Sequence, residues 1–214
     1  MEFKYAVFDF DMTLIDSIRP LMVSANLIAA EFGLPEVDYD QVHQAEIAVP
    51  NCTFEKLWEG LWGRYEPKWF EAYVDHMTDV EYKAMELYPG GRETLETLAA
   101  LNVPLGLASN RNYPREALEA LGIARLFGAV VGIAEVERPK PAPDVLIRAM
   151  ELMKAPAGET LYVCDSTGDL KVSAAAGVRA FSMTTGGHSA AELLALGAWR
   201  VGDELAEIIP LFRP

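Results

Sequence analysis

From Val103 to Leu196 the chain alternates short apolar runs with stretches of helical periodicity. Val103–Ala108, Ala129–Gly132, Leu161–Cys164 and Arg179–Met183 read as strands. Pro114–Leu121, Pro143–Lys154, Gly168–Ala176 and Ser189–Leu196 read as helices, with Gly122, Gly177 and Gly197 as stops. Such alternation predicts a parallel sheet covered on both faces. One further strand, Phe3–Phe10, opens the chain. Asp16 and Ser17 then offer N-caps for a helix that Gly33 closes. Helical patterns follow over Tyr39–Val49, Thr53–Tyr65 and Glu66–Glu86, and another over Arg92–Leu101. The expectation is an α/β, doubly wound parallel-sheet core built from residues 1–15 and 89–214, with residues 16–88 inserted as a helical domain.

Composition narrows the function. The 214 residues are 51% hydrophobic and 23% charged, enough to bury a core. A net charge of −14 with no Lys/Arg cluster argues against nucleic acid as a partner. It also means that a site for an anionic substrate must supply its own positive charge. No apolar run approaches the roughly 18 residues of a membrane span, and no signal peptide is evident, so a cytoplasmic protein is expected. Cys52 and Cys164 lie far apart and read as two separate thiols.

The chemistry concentrates at strand ends. Asp9 and Asp11 sit two apart at the end of the first strand and share a face. Paired carboxylates repel each other, and burial raises their pKa values, so a purely structural role is hard to motivate. Ser109 and Asn110 follow the second strand, Asp165 and Asp169 flank the start of the helix after the fourth, and Lys140 precedes another helix. Singly these are ordinary turn, cap or surface residues. Ligands of open parallel sheets bind outside the carboxyl ends of the strands, where all of these groups can converge.

In that order the motifs resemble those of the haloacid dehalogenase superfamily, phosphoglycolate-phosphatase-like in general pattern. Asp9-Phe10-Asp11-Met12-Thr13 resembles the first motif and Leu107-Ala108-Ser109-Asn110 the second. Lys140-Pro141-Ala142-Pro143-Asp144 resembles the third, and Val163-Cys164-Asp165-Ser166 with Asp169 the fourth. The resemblance implies a five-stranded core with the first strand central, and a four-helix cap. Asp11 and Asp165 would meet where the strand order reverses. It implies Mg²⁺ held by Asp9, the Asp11 carbonyl, Asp165 and Asp169, an all-oxygen set that suits a hard cation. It makes Asp9 the nucleophile, Asp11 the general acid and base, and Ser109 and Lys140 the groups that steady the phosphoryl oxygens. Thr13 is expected to orient the loop and, with Asn110, to contact substrate. Met12 stands where the family has Gly, which predicts a backbone that avoids positive φ. Cys164 stands where Gly or an acid is common, which leaves the role of Asp169 open.

The expected activity is hydrolysis of a small phosphomonoester by a monomer or homodimer. The presence of Asp11 argues against a dehalogenase, and the lack of Lys between Ser17 and Gly33 against a phosphonate-cleaving enzyme. A β-phosphoglucomutase-like mutase keeps both aspartates and is the alternative reading, but it usually carries a His in the first cap helix, which is missing here. A phospho-accepting receiver module would have no use for Asp11 as a general acid, and a phosphate-binding protein without turnover would tolerate losing catalytic groups, none of which is missing here. Trp58, Trp62, Tyr65, Trp69, Phe70 and Tyr73 are expected in the core of the helical domain, with His43, Arg64 and Lys68 on its surface.

Overall fold

The computed structural model describes residues 2–48, 53–76 and 80–212. Cys52 lies outside the described residues. The chain divides into two compact units, Met1–Ile15 with Leu87–Pro214, and Asp16–Glu86.

In the first unit the apolar runs become parallel strands: β1 (Tyr5–Phe8), β2 (Leu105–Ala108), β3 (Phe127–Val131), β4 (Thr160–Cys164), β5 (Arg179–Met183) and β6 (Arg200–Gly202). Their order is β3-β2-β1-β4-β5-β6. β1 is central, pairing Phe8 with Leu107 of β2 and with Val163 of β4. The strand order reverses between β1 and β4, which opens a crevice beyond their carboxyl ends. β2 and β4 are buried at every position, as expected of strands covered on both faces.

The sixth strand corrects the expectation of five. Arg200–Gly202 is only three residues long and carries one exposed Arg, so no period-2 pattern announces it. It exists because Phe181, Ser182 and Met183 offer a free sheet edge, to which Arg200, Val201 and Gly202 pair. The observed strands also differ from the predicted ones at their ends: β1 stops at Phe8, which leaves Asp9–Asp11 in the loop beyond it.

The inserted unit comprises α1 (Ile18–Phe32), α2 (Tyr39–Ile47), α3 (Phe54–Trp62), α4 (Pro67–His76) and the single turn α5 (Tyr82–Ala84). Gly33 closes α1 in the left-handed conformation. At the start of α1 it is Asp16, rather than Ser17, whose side chain accepts from Ile18 N (3.1 Å). Trp58 stacks on Trp62 (5.0 Å between centroids), and Trp62 meets Trp69 edge-on (5.4 Å). Trp58, Trp69 and Tyr73 are buried, whereas Phe70 is exposed. Arg64 and Lys68 are exposed and both pair with Glu66.

The first unit continues with α6 (Gly91–Ala100), α7 (Pro114–Ala120), α8 (Asp144–Met153), α9 (Thr167–Ala176) and α10 (Ala190–Ala195). α8 packs along β2 and β3, and α9 against β4 and β5. Val7, Val131, Leu146, Tyr162 and Val172 belong to one buried cluster that anchors the strands beneath the loops described next.

Candidate active site

Asp9 leaves β1 while its backbone N still donates to Val163 O of β4 (2.8 Å). The chain then turns tightly, with Leu14 N donating to Phe10 O (2.9 Å). Met12 occupies this turn at φ 55°, which overturns the expectation that it avoids the left-handed region. The turn geometry demands that φ, and the strain is offset by contacts: Met12 is buried, Thr185 Oγ1 donates to its carbonyl, and Tyr88 Oη lies 3.7 Å from its sulfur.

Three carboxylates converge beyond the strand ends. Asp9, Asp165 and Asp169 are all buried, and one oxygen of each lies within 4.8 Å of the others. Lys140 reaches into this cluster from its own loop, 2.5 Å from Asp9 Oδ1 and 2.8 Å from Asp169 Oδ1. The Lys140–Pro141 peptide is cis. Asn110 grips the backbone of Lys140: its Oδ1 accepts from Lys140 N (2.9 Å) and its Nδ2 donates to Lys140 O (3.3 Å). Asp169 is held by Ser166 Oγ (2.5 Å) and by the Tyr162 hydroxyl (2.6 Å). Thr13 Oγ1 donates to Asp165 Oδ1 (2.8 Å). Behind Asp165 stands Gly186, where an added Cβ would lie 2.1 Å from Asp165 Oδ2.

Burial and mutual repulsion govern the charges. Burial pushes Asp9 up to about 7 against the pull of Lys140. Burial, with the charges of Asp9 and Asp169, holds Asp165 well above the ordinary carboxylate range. Asp169 is lowered: burial opposes ionisation there, but the Lys140 charge and hydrogen bonds from Lys140, Ser166 and Tyr162 overcome it. For Lys140, burial would strip the proton, and the charges of Asp169 and Asp9 keep it bound. Fully ionised, three buried carboxylates around one ammonium would carry an excess of negative charge, which is why Asp9 and Asp165 hold their protons more tightly. Their all-oxygen donor set fits a hard divalent cation.

The remaining sequence-predicted residues fall nearby in the same unit. Ser109 is buried at the end of β2, its Oγ accepting from Arg111 N (3.1 Å). Asp11 lies outside this carboxylate cluster. It pairs with Arg111, whose Nη2 lies 2.7 Å from Asp11 Oδ1 and whose Nε lies 3.0 Å from Oδ2. Arg111, Tyr162, Thr185 and Gly186 are absent from the sequence-predicted set. Arg111 follows Ser109-Asn110 directly, so its place in the second motif's loop was a usable signal. Tyr162 reads simply as a buried strand residue, and nothing in the sequence ties Thr185 or Gly186 to a loop far earlier in the chain.

The fold and site together define an α/β protein with a carboxylate–lysine centre at the switch point of a parallel sheet. The family of haloacid dehalogenase-like hydrolases matches residues 6–183. Phosphoglycolate phosphatase of Pseudomonas syringae pv. syringae is 27% identical over 215 residues, 97% of this chain and 79% of that one. Its counterpart in Vibrio parahaemolyticus is 29% identical, covering 97% and 95%. The crystal structure of a HAD family hydrolase from Deinococcus radiodurans, with bound phosphate and sodium, superposes with a TM-score of 0.78 at 24% identity over 100% of this chain and 99% of that one. The chain belongs to the haloacid dehalogenase-like hydrolases.

Proposed function

We propose that this hydrolase cleaves a small phosphomonoester through an aspartyl-phosphate on Asp9, with Mg²⁺ as its cation. The observation that carries the reading is the buried carboxylate trio on Lys140, with a separate carboxylate, Asp11, two residues beyond Asp9. The cation would be held by Asp9, Asp165 and Asp169, together with the Asp11 carbonyl. When bound it supplies charge neutralisation for the incoming phosphate.

Asp9 is the nucleophile. A carboxylate oxygen attacks phosphorus as the bond to the leaving oxygen breaks, and Asp11 delivers a proton to that oxygen. Water then attacks the same phosphorus, Asp11 takes its proton, and the Asp9–phosphorus bond breaks to release phosphate. Lys140, kept protonated among carboxylates, faces the charge that develops on the transferring oxygens, and Ser109 donates to them. Asn110 and Thr13 act by holding Lys140 and Asp165 rather than by adding charge. The inserted unit, Asp16–Glu86, serves as the cap that selects the substrate. The names of the relatives at 27% and 29% identity make phosphoglycolate the first candidate.

The test is phosphate release from phosphoglycolate, sugar phosphates, nucleotides and p-nitrophenyl phosphate, in Mg²⁺ and in EDTA. Release that needs Mg²⁺ and favours one small phosphomonoester is expected. Release from none of them, or equal release in EDTA, would overturn the reading.

A further inference from the structure

Arg111 is built into the loop after β2 with unusual firmness. Its backbone N donates to Ser109 Oγ (3.1 Å), and its carbonyl accepts from Ile133 N (3.1 Å). Gly132 lets that carbonyl come close: a Cβ there would lie 2.5 Å from Arg111 O. The guanidinium rests over the buried ring of Phe10, 5.2 Å from its centroid. From that seat it forks onto Asp11, with Nη2 2.7 Å and Nε 3.1 Å from Oδ1, and Nε 3.0 Å from Oδ2. The Arg111 side chain is only 17% exposed against 37% for Asp11, so the arginine is the fixed partner and the carboxylate the guided one.

We propose that Arg111 is a positioning residue for Asp11: its planar fork, braced on Phe10 and Gly132, aims the acid–base carboxylate at the reacting centre. The proposal rests on the acid–base role of Asp11 given above. Arg111 neither gains nor loses a proton. A guanidinium fork fixes the plane of a carboxylate as well as its distance, which a point charge does not. Oδ1 accepts from both Nη2 and Nε and is the anchored oxygen, whereas Oδ2 accepts from Nε alone and keeps a lone pair open for proton exchange with substrate. Misplacing a catalytic group by a small distance lowers the rate without abolishing binding.

Leaving-group dependence reads the difference. The quantity measured is kcat/KM in Mg²⁺, which reports the first phosphoryl transfer, for an alkyl phosphate with an uncharged tail and for p-nitrophenyl phosphate. The alkyl alkoxide needs a proton to leave, and p-nitrophenolate does not. Arg111→Met is expected to slow the alkyl ester by about 100-fold and the aryl ester by less than about 3-fold, the scale of a lost acid. Asp11→Asn should show the same selectivity, and the double variant should be no slower than Asp11→Asn alone. Arg111→Lys, which keeps the charge but not the fork, should show a smaller but still selective loss, and it carries the test if Arg111→Met does not fold. Methylguanidinium should partly restore Arg111→Ala on the alkyl ester. Equal losses on both esters, or a loss confined to substrates with a second anionic group, would overturn the proposal while leaving the acid–base reading intact, provided Asp11→Asn is selective. An unselective Asp11→Asn would overturn that reading and the proposal with it.

Discussion

At the residue scale the site is a contest between burial and charge, and at Asp9 burial prevails over the pull of Lys140. Asp9→Asn keeps the shape and removes the nucleophile, so turnover of every ester should fall by about a thousandfold or more, on the scale seen when a covalent centre is deleted. Circular dichroism should show an unchanged fold, and retained turnover would remove Asp9 from its assigned role. The same residue makes stability depend on pH. An unfolded aspartate titrates near 4, whereas Asp9 in the fold titrates at about 7. Between those values the native state binds more protons than the unfolded one, so stability falls as pH rises. Asp165, also raised, acts in the same direction. Asp169 is lowered, so its contribution is present above the unfolded value and lost only below about 4, outside this window. In EDTA the melting temperature should therefore drop by a few degrees from pH 5 to pH 7.5. Saturating Mg²⁺, which binds ionised carboxylates, should flatten that slope. A metal-free melting temperature that climbs over the same range would contradict the charge balance derived for the site.

At the scale of elements, the loops after the strands are where local rules yield to tertiary ones. Met12 is the clearest case. Left-handed backbone costs a non-glycine residue about 1–2 kcal/mol. Burial of the Met side chain returns about 1.5–3 kcal/mol, and a glycine there would add about 0.4–1 kcal/mol of unfolded-chain entropy to overcome. Met12→Gly, although it satisfies the backbone preference, is thus expected to destabilise the protein by about 1 kcal/mol. Urea unfolding would measure this, and a more stable glycine variant would show that strain outweighs packing. The strands and helices of the core were legible because apolar runs and Gly stops repeat along the chain. The convergence of Asp9, Asp165, Asp169 and Lys140 was legible because their motifs occur in order. The direction in which Asp11 points was not legible: the sequence places it two residues from Asp9, but β1 ends at Phe8 and the turn delivers its side chain to Arg111. β6 was hidden for the opposite reason, since three residues carry no period and take their strand form from the edge they join.

At the scale of the whole molecule, the insertion has a consequence for folding. The core's chain leaves at Ile15 and returns at Leu87, and those two residues form an antiparallel bridge. Tyr88 N donates to Leu14 O (2.9 Å), so the exit and the return lie side by side within the core unit. An insertion whose ends meet demands little of its host, because the host's loop is closed with or without it. Among the described residues the core sheet draws no strand from residues 16–86, and its buried cluster is formed by residues of its own unit. Replacing residues 16–86 with a short Gly/Ser linker should therefore leave a folded α/β core with one cooperative thermal transition. The carboxylate trio, Lys140, Asp11 and Arg111 all belong to that core, so the chemistry should survive on an activated aryl ester with Mg²⁺. Preference among small phosphomonoesters should vanish, because the inserted unit is assigned the task of selecting them. Phosphate release from the same substrate panel would measure both effects. A truncated core that kept the full preference would place specificity in the strand-end loops, and one that failed to fold would show that the insertion supports the sheet.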